Sequence, residues 1–408
     1  MHYTISKPEK NIEGKIIIPS SKSISNRVQI INALSYSFEP IKNLSTCDDS
    51  RVMQEVLFSN TNVFDIGHAG TSMRFLTAYL SKILGEWTLT GSDRMKERPI
   101  SVLVDALNSL GAQITYLEKE GYPPLKIMGS NITGKEVELA GNTSSQYISA
   151  LLLIAPTLEN GLRIKLQGKI VSRSYIQMTL NIMEEFGIQS TFKGNEIHVA
   201  NQTYKVIPYT VEGDWSSASY WYAFMALAPK GKLYLGGLKK NSFQGDSGLV
   251  DVFSKLGVKT NFSNKGMYIE QSNDVCNKLF FDFNEMPDLA QTFAVVAALK
   301  NIPFHFKGLE TLKIKETDRI YALIKELAKL GYILYEPKKG ELAWDGDMEA
   351  ESDHIIIETY HDHRMAMAFA PIEMLRPEIQ IADPMVVNKS YPNFWEQLKE
   401  VGFKIEEN

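Results

Sequence analysis

Cysteine is nearly absent: Cys47 and Cys276 are the only two among 408 residues. Two thiols cannot build a disulfide framework or a multi-thiolate metal site, and the usage fits a reducing, cytoplasmic setting. Long apolar runs are missing as well. The best, Ala150 to Ala155, stops at Pro156, far short of the ~18 residues of a membrane span. Met1 to Lys10 carries three charged side chains and no apolar block, so it does not read as a secretory signal. There is no excess of positive charge: 43 Lys and Arg stand against 48 Asp and Glu, a net charge of −5. That is opposite to the footprint of a nucleic-acid binder, but a small anion stays compatible, because a local field need not share the sign of the whole chain. No Walker loop and no strand–GxGxxG–helix occurs, which argues against phosphate-loop and dinucleotide sites. His361 and His363, two apart, cannot share a helical face, neither Cys has a basic neighbour, and no serine elbow is present, so zinc and nucleophile chemistry lack their residues. With 44% hydrophobic and 22% charged residues, the chain has the composition of a folded globular protein, and its length suggests two or three domains.

What is present is a repeat. Five stretches read as an amphipathic helix ending in Gly and leading into a strand: Val104 to Gly111, Leu180 to Gly187, Val250 to Gly257, Ile324 to Gly331, and Phe394 to Gly402. Each Gly can take the left-handed conformation that ends a helix at no steric cost. The glycines are spaced 70 to 76 residues apart. A second series, rich in small polar residues, marks where another helix of each unit begins. Lys22, Thr71, Ser144, Ser216, Asp288 and Asp362 follow one another at steps of 49, 73, 72, 72 and 74. Six copies of an α/β unit of roughly 70 residues, the first shortened, therefore account for nearly the whole chain. A boundary near Val211-Glu212-Gly213-Asp214 divides them into three and three, which predicts two similar α/β domains with a cleft between them.

The helix starts matter because unpaired N–H groups and the positive end of the dipole attract anions there. Ser, Thr and Asp at such places are also ordinary caps, each contributing about 1 kcal/mol, and Ser216 and Ser217 are read that way. Caps do not require the basic residues that recur nearby: Lys22 and Arg27, Arg74, Arg98 ahead of a helix with Pro99 at N1, Lys315 and Arg319 on one helical face at i,i+4, Arg364, and Lys389. Their recurrence points to a polyanionic ligand, since the guanidinium fork matches carboxylate and phosphate.

With these residues in view, the chain resembles the 5-enolpyruvylshikimate-3-phosphate synthase family of enolpyruvyl transferases (3-phosphoshikimate 1-carboxyvinyltransferases). The ordered motifs are Ser21 to Arg27, Ala69 to Arg74, Arg94 to Pro99, Ser144-Ser145-Gln146, Val211 to Asp214, Pro287-Asp288, Lys315 to Arg319, and Asp362 to Met367. The resemblance implies an α/β fold of two domains, each three βαβαββ-like repeats in an inside-out α/β barrel, with the active site in the interdomain cleft. The N-terminal strand is expected to return to the C-terminal-type domain, giving residues 1–19 plus 213–408 and residues 20–212. It also implies transfer of the carboxyvinyl group of phosphoenolpyruvate to the 5-hydroxyl of shikimate 3-phosphate, by addition and elimination, with no cofactor and no metal. A cytoplasmic monomer that binds neither nucleic acid nor membrane is expected.

Carried over residue by residue, the resemblance places shikimate 3-phosphate contacts on Lys22, Ser23, Arg27, Ser144, Ser145, Gln146, Ser172, Tyr175, Asp288 and Lys315. Phosphoenolpyruvate contacts fall on Lys22, Gly70, Arg98, Gln146, Arg319, Arg364 and Lys389. Asp288 resembles the acceptor of the hydroxyl proton, although alone it reads as a plain helix cap. The proton donor is Glu316 or Lys22. His363 reads as a hydrogen-bonded supporting residue. Ser20, His68, Phe75, Ser174 and His361 depart from the family's usual Gly, Asn, Pro, Pro and Asn, and Thr311 stands where Asn is common. Two alternatives remain at this point: an enolpyruvyl transferase acting on UDP-N-acetylglucosamine, which usually carries Lys-Asn and a loop Cys where this chain has Lys22-Ser23 and no Cys in Arg94 to Pro99, and a non-catalytic anion binder on the same scaffold.

Overall fold

The computed structural model describes residues 1–352 and 354–408. The chain forms two compact units, Met1–Pro19 with Glu212–Asn408, and Ser20–Val211. Both are built on one sheet plan. In the Ser20–Val211 unit, strand Val63–Asp65 runs parallel to Gly85–Thr90, with helix Gly70–Lys82 between them. The hairpin Gln113–Tyr116 and Leu125–Gly129 then returns antiparallel to the second strand. Glu136–Ala140, Leu162–Gln167, Ser190–Lys193 and Glu196–Val199 repeat this order. In the other unit, Leu279–Asp282 and Phe304–Lys307 form the parallel pair, and Leu342–Trp344 lies antiparallel to the latter.

The chain ends complete sheets that would otherwise lack a strand. Ile12–Ile17 lies parallel to Gly231–Gly236, and His2–Ser6 fits antiparallel between Ile379–Ala382 and Lys404–Glu407. The shortened first repeat has only a two-stranded sheet, Ile41–Lys42 against Tyr209–Thr210.

Each repeat carries two kinds of helix. Inner helices are buried on every side: all residues of Ala290–Leu299 and His363–Phe369 are buried, and all of Trp215–Leu227 except Ser216. Outer helices are amphipathic. In Arg319–Lys329, Ile320, Leu323 and Leu327 are buried while Tyr321 and Lys325 face outward, the three-and-four spacing of one apolar stripe. The chain leaves the outer helices through Gly111, Gly187, Gly257, Gly331 and Gly402, with φ of 103°, 84°, 88°, 86° and 90°, although the third helix already stops at Ser254 and Gly257 lies in strand Leu256–Ser263. These are left-handed conformations that only glycine adopts without strain.

The inner helices begin with the polar segments singled out in the sequence, so the fold delivers those segments to one end of each unit. Among the described residues, no helix is long and apolar enough to cross a membrane.

Candidate functional site

In the Ser20–Val211 unit three inner helix starts are tied together. Ser21 caps Lys22–Leu34, its Oγ accepting from Ile24 N at 3.4 Å. Gly70–Lys82 has no side-chain cap of its own. Asp49, from helix Asp48–Leu57, supplies one: Oδ1 accepts from Ser72 N at 3.1 Å and Ser72 Oγ at 2.7 Å, and Oδ2 from Thr71 N at 3.4 Å. The same carboxylate accepts from Asn26 Nδ2 at 3.1 Å and pairs with Lys22 Nζ at 3.5 Å. Ser144 caps Ser145–Ile154, accepting from Gln146 N at 3.3 Å, and Gln146 Nε2 donates to Thr71 Oγ1 at 3.3 Å.

Arg98 lies over the first turn of Gly70–Lys82. A Cβ on Gly70 would sit 2.7 Å from Arg98 Nη1. Arg98 is buried, and its Nε has no hydrogen-bond partner among the described residues. Arg74 braces that loop, donating to Gly70 O at 3.1 Å and Pro99 O at 3.3 Å. Burial, and then the charge of Arg98, bring the Arg74 guanidinium down to about 10. Arg27 forms a second edge: it donates to Thr179 Oγ1 at 2.8 Å, Ser23 O at 2.8 Å, Ser149 Oγ at 3.1 Å and Tyr175 O at 3.4 Å. Burial brings it also down to about 10. Phe75 lies beneath it at 5.3 Å. Ser172 precedes helix Arg173–Glu185 in a left-handed conformation and accepts from Tyr175 N through its carbonyl at 3.1 Å. The departure His68 meets Ser92 Oγ through Nδ1 at 2.9 Å.

In the other unit, Asp288 gathers three cations. Its Oδ1 lies 3.1 Å from Arg319 Nη1 and 3.3 Å from Lys315 Nζ, and its Oδ2 lies 3.0 Å from Arg364 Nη2. Arg319, 1% exposed, also pairs with Asp362 at 2.7 Å through Nε and with Glu316 at 2.9 Å through Nη2. Asp362 caps His363–Phe369, accepting from Arg364 N at 2.9 Å. Arg364 Nη1 donates to Tyr220 Oη at 3.5 Å, and Lys389 Nζ to His361 O at 2.6 Å.

Burial alone would raise the Asp288 carboxyl, but Arg364, Lys315 and Arg319 outweigh it and hold the group well below the usual carboxylate range. Lys315 moves down: burial outweighs the support of Asp288. Arg319 moves up, because Asp362, Glu316 and Asp288 together overcome its burial.

Four local expectations are corrected. Ser216 and Ser217 are not caps: both lie within Trp215–Leu227, and Asp214 caps that helix, accepting from Ser217 N at 2.9 Å. Lys315 and Arg319 do not share a helical face, since Lys315 is extended and the helix starts at Arg319 with Asp318 as its cap. Both reach Asp288 from that break. Asp288 is no helix cap: it lies in the 3-10 turn Pro287–Leu289, which has no side-chain cap bond, as has the helix that follows. Pro99 precedes the cap position of its helix, which runs Ser101–Ser109 behind Ile100. Thr311 Oγ1 is buried with no partner among the described residues.

Asp49 is the main participant that sequence reasoning missed. It stands in a polar helix start, Cys47-Asp48-Asp49-Ser50, but only the fold shows it capping a different helix. Asp362 was legible as a helix start but not as the clamp on Arg319, and nothing local marked Tyr220. Among the described residues, no group of three or more His, Cys, Asp or Glu is placed to hold a metal ion.

The family model described as EPSP synthase (3-phosphoshikimate 1-carboxyvinyltransferase) matches residues 54–398. A 3-phosphoshikimate 1-carboxyvinyltransferase of Bacteroides fragilis is 51% identical over 406 residues, covering 99% of each chain. That of Sulfurovum sp. is 37% identical over 429 aligned positions, covering 97% of this chain and 98% of its own. An EPSP synthase structure from Acinetobacter baumannii superposes with a TM-score of 0.79 at 20% identity, covering all of both chains.

Proposed function

The chain belongs to the EPSP synthase family, and from that premise we propose that it transfers the carboxyvinyl group of phosphoenolpyruvate to the 5-hydroxyl of shikimate 3-phosphate, releasing phosphate. The reaction belongs to the shikimate route to aromatic amino acids. The observation that carries this reading is the carboxylate of Asp288 ringed by Arg364, Arg319 and Lys315 at 3.0–3.3 Å. Such a cluster offers a base and an anion receptor in one place.

The chemistry needs both. Two polyanions must be held together against their own repulsion, which calls for cationic walls shielded from water. Shikimate 3-phosphate is assigned to Lys22, Ser23, Arg27, Ser144, Ser145, Gln146, Ser172, Tyr175, Asp288 and Lys315. Phosphoenolpyruvate is assigned to Lys22, Gly70, Arg98, Gln146, Arg319, Arg364 and Lys389. In the addition step C3 of phosphoenolpyruvate takes a proton, the 5-oxygen bonds to C2, and Asp288 takes the hydroxyl proton. In the elimination step C3 gives up a proton, the double bond re-forms, and phosphate departs. Holding the reactants in line supplies up to ~7–11 kcal/mol of the barrier.

The donor to C3 is Lys22 or Glu316. Glu316 must leave its pairing with Arg319 before it can donate, whereas Lys22 brings a proton of its own. We place the reaction in the cytoplasm, in keeping with two unpaired cysteines, and expect a monomer that needs neither cofactor nor metal.

Phosphate release with phosphoenolpyruvate plus shikimate 3-phosphate, run beside phosphoenolpyruvate plus UDP-N-acetylglucosamine, tests the assignment. Release is expected with the first pair alone. Release only with the UDP-sugar moves the chain to the sister activity, and release with neither leaves an anion-binding protein.

A further inference from the structure

Asp246 lies in the 3-10 turn Gly245–Gly248 and is 4% exposed. Its Oδ2 accepts a hydrogen bond from Ser216 Oγ. Its Oδ1 is buried with no hydrogen-bond partner among the described residues. Ser216 is in the first turn of Trp215–Leu227, a helix packed against both the Gly245–Gly248 turn and the Pro287–Leu289 turn that carries Asp288. The Met286 side chain, just ahead of the second turn, reaches the first: a Cβ on Gly248 would sit 2.6 Å from its Cε, two residues before Asp288. The groups acting on Asp246 are Asp288, Arg364, the Ser216 hydroxyl, and Asp214, which caps the same helix by accepting from Ser217 N at 2.9 Å. Tyr220, one turn along that helix, is the hydroxyl that Arg364 contacts.

An ionised carboxylate with one oxygen buried and unpaired loses its hydration without replacement, and a neutral carboxylic acid in the same place loses far less. We propose that Asp246 is a positioning residue that keeps a proton on its carboxyl group, so that Asp288 holds the single negative charge of this carboxyl pair. The proposal rests on Asp288 being the acceptor of the hydroxyl proton. While neutral, Asp246 leaves Arg364 to Asp288 and to an incoming anion. Once ionised, it draws on Arg364 and repels the anionic substrates.

The electrostatics run the same way. Burial first, and then the charge of Asp288, push Asp246 up to about 7. The neutral form is therefore populated below that pH and lost above it, and kcat/KM for phosphoenolpyruvate should fall as pH rises through this region.

Asp246→Asn stays uncharged at every pH and can still accept from Ser216. Between about pH 6 and pH 8.5, with saturating shikimate 3-phosphate, wild-type kcat/KM should fall about fivefold or more relative to the variant. Substrate ionisation is common to both proteins and cancels in the ratio. Parallel profiles overturn the proposal. If Asp246→Asn does not fold, Ser216→Ala takes its place. It removes a hydrogen bond that favours the ionised form, so the alkaline limb should move to higher pH, and an unmoved limb overturns the proposal.

An activity-independent readout separates this inference from the proposed function. The infrared difference between the two pH values should contain one buried, protonated carboxyl band in the wild type that Asp246→Asn lacks. Its absence from the wild type overturns the proposal. A wild type that shows the band yet releases no phosphate refutes the carboxyvinyl transfer and upholds the protonated Asp246.

Discussion

In the Ser20–Val211 unit, Arg27, Arg74 and Arg98 form no ion pair among the described residues, and Arg27 and Arg74 rest on hydroxyl and carbonyl oxygens. In the other unit, Lys315, Arg319 and Arg364 all pair with carboxylates. Burial does not separate the two sets: Arg27 is 3% exposed and Arg319 is 1%. Yet burial brings Arg27 down to about 10, while three carboxylates carry Arg319 upward against the same penalty. The partners decide the sign. The first unit keeps a local surplus of positive charge, with Asp49 largely committed to backbone N–H groups and its neighbours Lys22 and Asn26. The second is near neutral locally and holds Asp288 and Glu316, the carboxylates proposed to move protons.

That division predicts different kinetic failures. Asp288→Asn removes the proposed proton acceptor and should lower kcat by about 10²–10⁴, with KM for either substrate moving far less. Arg98→Ala leaves a substrate anion unpaired in a dry site, about 3–5 kcal/mol, so kcat/KM should fall by at least about two decades. Steady-state kinetics on both variants decide the matter. If Asp288→Asn acts mainly on KM, or Arg98→Ala retains near-wild-type kcat/KM, the division of labour is wrong.

Stability should divide the other way. Arg319→Met strips a guanidinium from Asp288, Glu316 and Asp362 and should cost about 3–5 kcal/mol, read as a lower Tm. Arg98→Met removes a charge with no carboxylate partner beside Arg74 and should change stability by less than about 0.5 kcal/mol, or raise it. Equal losses would erase the contrast. Acid titration of Tm sharpens it. The Asp288 carboxyl is held well below its usual range, so its contribution is fully present above about pH 4 and is lost only as pH falls through the lowered value. Asp288→Asn should therefore show a flatter fall in Tm on the acid side than wild type.

The repeat was legible because it rests on local chemistry: a helix-ending glycine needs a left-handed φ wherever the chain places it, and all five marked glycines have one. The helix starts were legible for the same reason. What local chemistry could not reveal was who satisfies whom. Asp49 caps a helix that begins 21 positions later at Gly70, and Asp362 clamps an arginine 43 positions away. Lys315 and Arg319 looked like a helical pair because i,i+4 spacing is all a sequence displays, whereas the break before Arg319 is set by the cap at Asp318 and by the pull of Asp288 on both side chains. Charge partners chosen through tertiary packing leave no periodic trace.

The smallest expected effect tests the cationic half most finely. Gly70 does not need its glycine for a left-handed φ, since its backbone is helical. The atoms nearest to an alanine Cβ there belong to the Arg98 guanidinium, at 2.7 Å for Nη1 and 3.2 Å for Cζ. That is the far end of a flexible side chain, so the fold should survive with Tm nearly unchanged while the guanidinium gives way. Displacing it from its proposed contact with the substrate anion should raise KM for phosphoenolpyruvate about tenfold, ~1.4 kcal/mol, with KM for shikimate 3-phosphate little altered. The effect must also vanish when its target is gone. In an Arg98→Ala background, Gly70→Ala should add almost nothing, a coupling energy close to the whole single-variant effect. Additive losses would mean that Gly70 acts through the helix start itself, and the surplus charge of this unit would then owe less to where Arg98 is held.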